Sequence, residues 1–98
     1  MAEKRYYTRV KNDHPVYGNN SYVCGVVMGI MSTTVGDGPD FRRVGPMDVS
    51  EKTGDHIMNV KTTEELYQLF AERVEKRYPG LCEFDCEKPV SEIRPIKS

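Results

Sequence analysis

The chain has no tryptophan and only three phenylalanines, so its core must be built from aliphatic side chains, methionine and tyrosine. Neither charge is in excess. Fourteen Lys and Arg against fifteen Asp and Glu leave a net charge of −1, which excludes reliance on bulk attraction to nucleic acid or to an anionic membrane. There is no long hydrophobic run either. Residues 15–36 carry no charge, but only Tyr22–Met31 is continuously apolar or glycine, about half of the roughly 20 residues a membrane span requires. No apolar segment follows Met1-Ala2-Glu3-Lys4-Arg5, so no secretory leader is expected. With no sign of secretion, the odd set Cys24, Cys82 and Cys86 reads as reduced thiols of a cytoplasmic protein. The sequon at Asn19-Asn20-Ser21 then has no significance. No internal repeat or low-complexity stretch interrupts the chain. Its 98 residues, 38% hydrophobic and 30% charged, are expected to form a single globular domain over 1–98.

The strongest signal that is present is the stretch Thr62–Tyr78. Leu66, Phe70, Val74 and Tyr78 recur every four residues, while Gln68, Glu72, Glu75 and Lys76 occupy the other side. Thr62 with Glu65 three residues later fits a capping box, acids open the segment and bases close it, and Pro79-Gly80 stops it. The pattern predicts one helix over about 63–78.

The remainder reads as strand and turn. Residues 4–11 alternate, with Tyr6, Thr8 and Val10 on one side and Arg5, Tyr7, Arg9 and Lys11 on the other. Residues 12–21 form a loop rich in Pro, Gly and Asn. Tyr22–Thr34 reads as a second strand, apolar on both faces and therefore central. Gly36-Asp37-Gly38-Pro39 is a turn rather than a phosphate loop, because no Lys-Ser/Thr follows it. Phe41–Val44 fits a short strand, Met47–Thr53 is ambiguous, and His56–Lys61 is a strand presenting His56, Met58 and Val60 together. Leu81–Glu87 alternates with Cys82, Phe84 and Cys86 inward. Pro89 and Pro95 limit residues 88–98 to an edge strand or an extended tail. The expected fold is α+β, a mostly antiparallel sheet of four or five strands with a single helix on one face, in the order β-β-(β)-β-α-β.

Three functional readings follow. The first is a small cytoplasmic, non-catalytic binding or regulatory module that works through protein–protein contacts as a homodimer. One helix cannot shelter both sides of the Tyr22–Met31 strand, so the second side is covered either by residues 35–53 of the same chain or by another copy, for which Tyr22, Cys24, Val26, Met28 and Ile30 are the candidate interface. The second is a single-stranded nucleic-acid or nucleotide binder. Cations that track phosphates and a ring that stacks on bases are both available on Arg5, Tyr7, Arg9 and Lys11, with Arg42 and Arg43 extending the patch. That face matters only if its cations do not pair with the acids of Leu81–Glu87. The third is a small hydrolase or nuclease using His14, His56 and Cys24. Cys82 and Cys86 at CxxxC spacing resemble buried structural cysteines more than zinc ligands, so no metal and no cofactor are expected.

Overall fold

The computed structural model describes residues 2–18, 20–35, 45 and 47–87. In chain order the elements are β1 (Glu3–Val10), α1 (Ser21–Val35), β2 (Asp48–Val49), β3 (His56–Thr63), α2 (Glu64–Arg77) and β4 (Cys82–Cys86). The four strands form one antiparallel sheet in the order β2-β3-β1-β4. Each helix therefore links two strands that lie one place apart, with a third strand between them, which is a split β-α-β arrangement used twice. The two helices pack against each other over one face of the sheet.

The α+β class and the antiparallel sheet are as expected. The single helix and the order β-β-(β)-β-α-β are not. Tyr22–Thr34 is helical, so the sheet has no doubly apolar central strand and the helical layer has two members. Seven of the fifteen residues of α1 are β-branched and two are glycine, a composition that favours strand over helix. Tertiary burial overrides it. Val23, Val27, Met31 and Val35 make a helical stripe that is 7% exposed or less, and it packs over the sheet beside Phe70 and Val74 of α2. A local start signal was also present. Asn20 caps α1, its Oδ1 accepting from the backbone N–H of Tyr22 at 3.0 Å and of Val23 at 3.4 Å.

The other elements follow their patterns more closely. On β1, Tyr6, Thr8 and Val10 face the helices, and the register sets them opposite Val60, Met58 and His56 of β3. The cap of α2 is Thr63 rather than Thr62, with Thr63 Oγ1 accepting from Leu66 N at 3.4 Å. Thr62 is instead the penultimate residue of β3, fully buried, and its hydroxyl has no partner among the described residues. Met47–Thr53 contains the short β2 and a turn closed by Gly54 N donating to Ser50 O. The expected strand at 41–44 and the tail at 88–98 lie outside the described residues.

On β4 the alternation breaks at Asp85, a non-glycine residue with φ +53°. Phe84 pairs with Thr8, but Cys86 rather than Asp85 pairs with Tyr7. This bulge turns Cys86 to the face opposite Cys82 and Phe84, so the CxxxC pair does not share a side. Tyr67 holds the bulge in place. Its hydroxyl accepts from Asp85 N at 2.8 Å, lies 2.7 Å from Thr8 Oγ1, and donates to Tyr7 O at 3.3 Å. Burial pushes the Tyr67 phenol up to about 12, so it stays protonated and able to donate. Tyr67→Phe is expected to lower unfolding stability by about 1–3 kcal/mol, because Thr8 and the Asp85 amide lose a buried partner. Urea denaturation checks this, with an unchanged m-value and faster exchange of the Asp85 amide.

Candidate docking surface

Helix α1 contains no charged residue. Among the described residues this uncharged helix is packed on one side only. Opposite its buried stripe lie Tyr22, Gly25, Gly29 and Thr33, all exposed, with Tyr22 keeping 72% of its surface. Val26, Met28 and Ile30 are half-buried along the flanks of that stripe. On the side of α2 that faces α1, Arg73 donates to Thr34 Oγ1 at 3.0 Å, and Leu69, one turn earlier, is 38% exposed.

Of the five interface candidates read from the sequence, Tyr22, Val26, Met28 and Ile30 therefore reach or border the outer surface, while Cys24 does not. On a strand the five would share a side. On a helix they step around the axis by about 200° per pair, which takes Cys24 into the core and leaves Gly25 and Gly29 at the centre of the outer face. On a strand the two glycines would also share a face and admit a close backbone; on the helix their spacing of four puts them on one side. A Cβ built on either would meet no atom within 4 Å. No contact among the described residues requires glycine there, and each costs about 1 kcal/mol of helix stability relative to alanine.

The basic strand face is assembled, and Arg9 at its centre is taken up in an ion pair. Arg5, Tyr7 and Arg9 lie on the side of the sheet away from the helices, beside Lys61, Asn59 and Ile57 of β3. β1 and β4 are neighbours, and Arg9 sits opposite Glu83. The Arg9 guanidinium is 2.8 Å from Asp55 Oδ2, and both side chains are mostly buried, 13% and 9% exposed. Burial alone would raise the Asp55 carboxyl, but hydrogen bonds from Asn12 N, Arg9 and Thr53 outweigh it and hold Asp55 below the ordinary carboxylate value. Arg5 donates to Asn59 Oδ1. At the edge of this face Gly45 N donates to Asn59 O, an approach close enough that a Cβ at Gly45 would overlap the Asn59 amide. Lys11 is exposed, and its N–H donates to Leu81 O at 3.1 Å. Arg42 and Arg43 lie outside the described residues.

The catalytic candidates divide into two settings. Cys24 Sγ lies 3.6 Å from His56 Nδ1, which brings together two of the three hydrolase candidates. Burial pushes the Cys24 thiol up, the reverse of the shift that activates a nucleophile. His14 is engaged elsewhere. Its Nδ1 accepts from the N–H of Val16 and of Tyr17, both at 3.1 Å, its Nε2 is 3.3 Å from Pro79 O, and its ring stacks on Tyr17. That set of contacts folds the long loop onto the end of α2. Cys82 is pushed up to about 12 by burial and then by Glu75 and Cys24, and Cys86 is raised by burial and by Glu83. All three cysteines are free. Among the described residues no three His, Cys, Asp or Glu side chains gather as a metal site, and no helix is long and apolar enough to cross a membrane.

The fold and the surface thus define a small split β-α-β domain with one uncharged helix facing outward. No family model, curated protein or solved structure matches the chain.

Proposed function

We propose that this chain is a small cytoplasmic, non-catalytic binding module that acts through protein–protein contacts, with a second copy of itself as the partner on the outer face of α1. One observation carries the reading. Two mid-helix glycines lie under open space on an exposed, uncharged face, with no described residue packed against them. A helix from another molecule has a use for them, because absent side chains let two backbones approach closely. The face is also self-complementary. The ridge formed by Val26 and Ile30 runs beside the trough at Gly25 and Gly29, so a two-fold axis sets the ridge of one copy into the trough of the other. A helix of this length extends only about 22 Å. A contact of that size falls short of the roughly 1,200 Å² buried by stable interfaces, so the pairing expected is weak and reversible, at tens of micromolar.

Analytical ultracentrifugation from 10 µM to 1 mM tests the proposal, with Gly25→Gln and Gly29→Gln combined as the variant. Glutamine is the better helix former, so the monomer is expected to gain about 0.5 kcal/mol at each position in thermal unfolding. Association is expected to weaken at least ten-fold. A wild-type chain that stays monomeric at 1 mM, or a variant that gains stability and still associates, would sink the reading.

A further inference from the structure

The side of the molecule formed by β4 and α2 carries a second surface that the self-pairing does not use. β4 ends the sheet, so among the described strands its outer edge is unpaired. Lys11 N donates to Leu81 O directly across the ladder, which fixes the alternation. Glu83 turns its main-chain groups toward β1, whereas Cys82 and Phe84 turn theirs outward. Above this edge lie two clefts. One of 460 Å³ is lined by residues that include Lys4, Tyr6, Glu64 and Asp85, and one of 270 Å³ by Ala71, Glu72, Glu75 and Phe84. They share Ala71 and Phe84, so they join into one trough along the strand.

The charge along that trough is mostly negative. Glu64, Glu72, Glu75 and Asp85 line it, and among the described lining residues Lys4, 3.9 Å from Asp85, is the one cation. Glu83 adds to it from the other side of the strand. The floor is the Phe84 ring, half-buried against Phe70 and Tyr67. The acids also exclude a second copy of β4 as the occupant, because pairing two such edges would set carboxylates against one another.

We propose that the β4 edge is a strand-addition site for an extended basic peptide of a partner protein, with apolar and cationic residues alternating. Main-chain groups of the peptide pair with those of Cys82 and Phe84. An apolar side chain sits on Phe84 and Ala71, its cationic neighbours turn to the opposite face toward Glu83, and Glu72 and Glu75 add to the field that attracts the peptide's charge. Main-chain pairing supplies affinity and the alternate side chains supply selectivity. Asp85 limits the docking to a short segment, since its positive φ ends the regular edge.

The test is an NMR titration of the full chain with an acetylated, amidated Lys-Val-Lys-Val-Lys-Val peptide. Shifts are expected first at the Cys82 and Phe84 amides. Binding is expected to weaken at high salt and to fall at least ten-fold in Glu72→Lys combined with Glu75→Lys. A peptide of the same charge with N-methylated valines is expected not to bind. Equal binding of that peptide, or of a Glu-Val counterpart, overturns the proposal, as does the absence of any shift at millimolar peptide. Binding that emerges only after Lys88, Arg94 and Lys97 are changed to Gln would assign the trough to this chain's own C-terminal segment and overturn it as well.

Discussion

Asp55→Ala is expected to lower the unfolding free energy by about 3–5 kcal/mol, because it leaves the Arg9 guanidinium buried without its carboxylate. Asp55 is 6% exposed and joins three parts of the chain. Its carboxylate accepts from Arg9 of β1 at 2.8 Å and from Asn12 N at 2.7 Å, while its own carbonyl accepts from Ser50 N at 2.8 Å. The loss is a large share of the roughly 5–15 kcal/mol that holds a domain of this size together. The pH dependence has a definite sign. The folded pKa of Asp55 lies below its unfolded value, so its contribution is complete above about pH 4 and is lost as pH falls through the lower folded value. Wild-type stability measured from pH 6 down to pH 2 should therefore fall more steeply than that of Asp55→Ala. Parallel curves would remove the argument. Arg9→Ala should be destabilising for the same reason, whereas Arg5→Ala, on an exposed side chain, should cost no more than about 1 kcal/mol. Any loss of ligand binding in an Arg9 variant has to be corrected for that instability.

The second large effect is expected at Phe70. Its ring is fully buried at the junction of α2 with the sheet, 5.7 Å from the Tyr67 ring and 6.0 Å from the Phe84 ring between centroids. Phe70→Ala removes that volume from a core without tryptophan and with few phenylalanines to fill it. The expected cost is about 3–5 kcal/mol, made up of lost burial and of the cavity left behind. In thermal unfolding this is a drop of about 12 °C or more. Phe70→Leu, which keeps most of the volume, should recover over half of the loss. A Phe70→Ala domain that melts within about 3 °C of the wild type would mean that the helix layer is not seated as described.

The elements that sequence reading found are chiefly those in which one face is buried and the other is wet. α2 and β1 have polar faces, so their periods of 3.6 and 2 are visible in the residues themselves. β3, with Ile57 and Asn59 buried on the side away from the helices, was legible instead from its strand-forming residues between turns. α1 has no polar face, and an apolar run with glycines and β-branched residues looks the same whether it is strand or helix. Its length and the Asn20 cap were the discriminating signals. The candidate interface shows the consequence. Tyr22, Val26, Met28 and Ile30 reach or border the outer surface because α1 is apolar all round, but only the helical geometry removes Cys24 and brings Gly25 and Gly29 to the centre.

Composition and local periodicity alone determined the α+β class, the amphipathic helix with the Pro79-Gly80 that ends it, and the inward sets of the first and third strands. These depend on neighbours a few residues away, which the sequence displays directly. Only the tertiary structure decided the helical state of Ser21–Val35, the bulge that turns Cys86 away from Phe84, and the partnership of Arg9 with Asp55. Each of those is settled by groups far apart along the chain, whose meeting depends on the packing of the whole domain rather than on local preference.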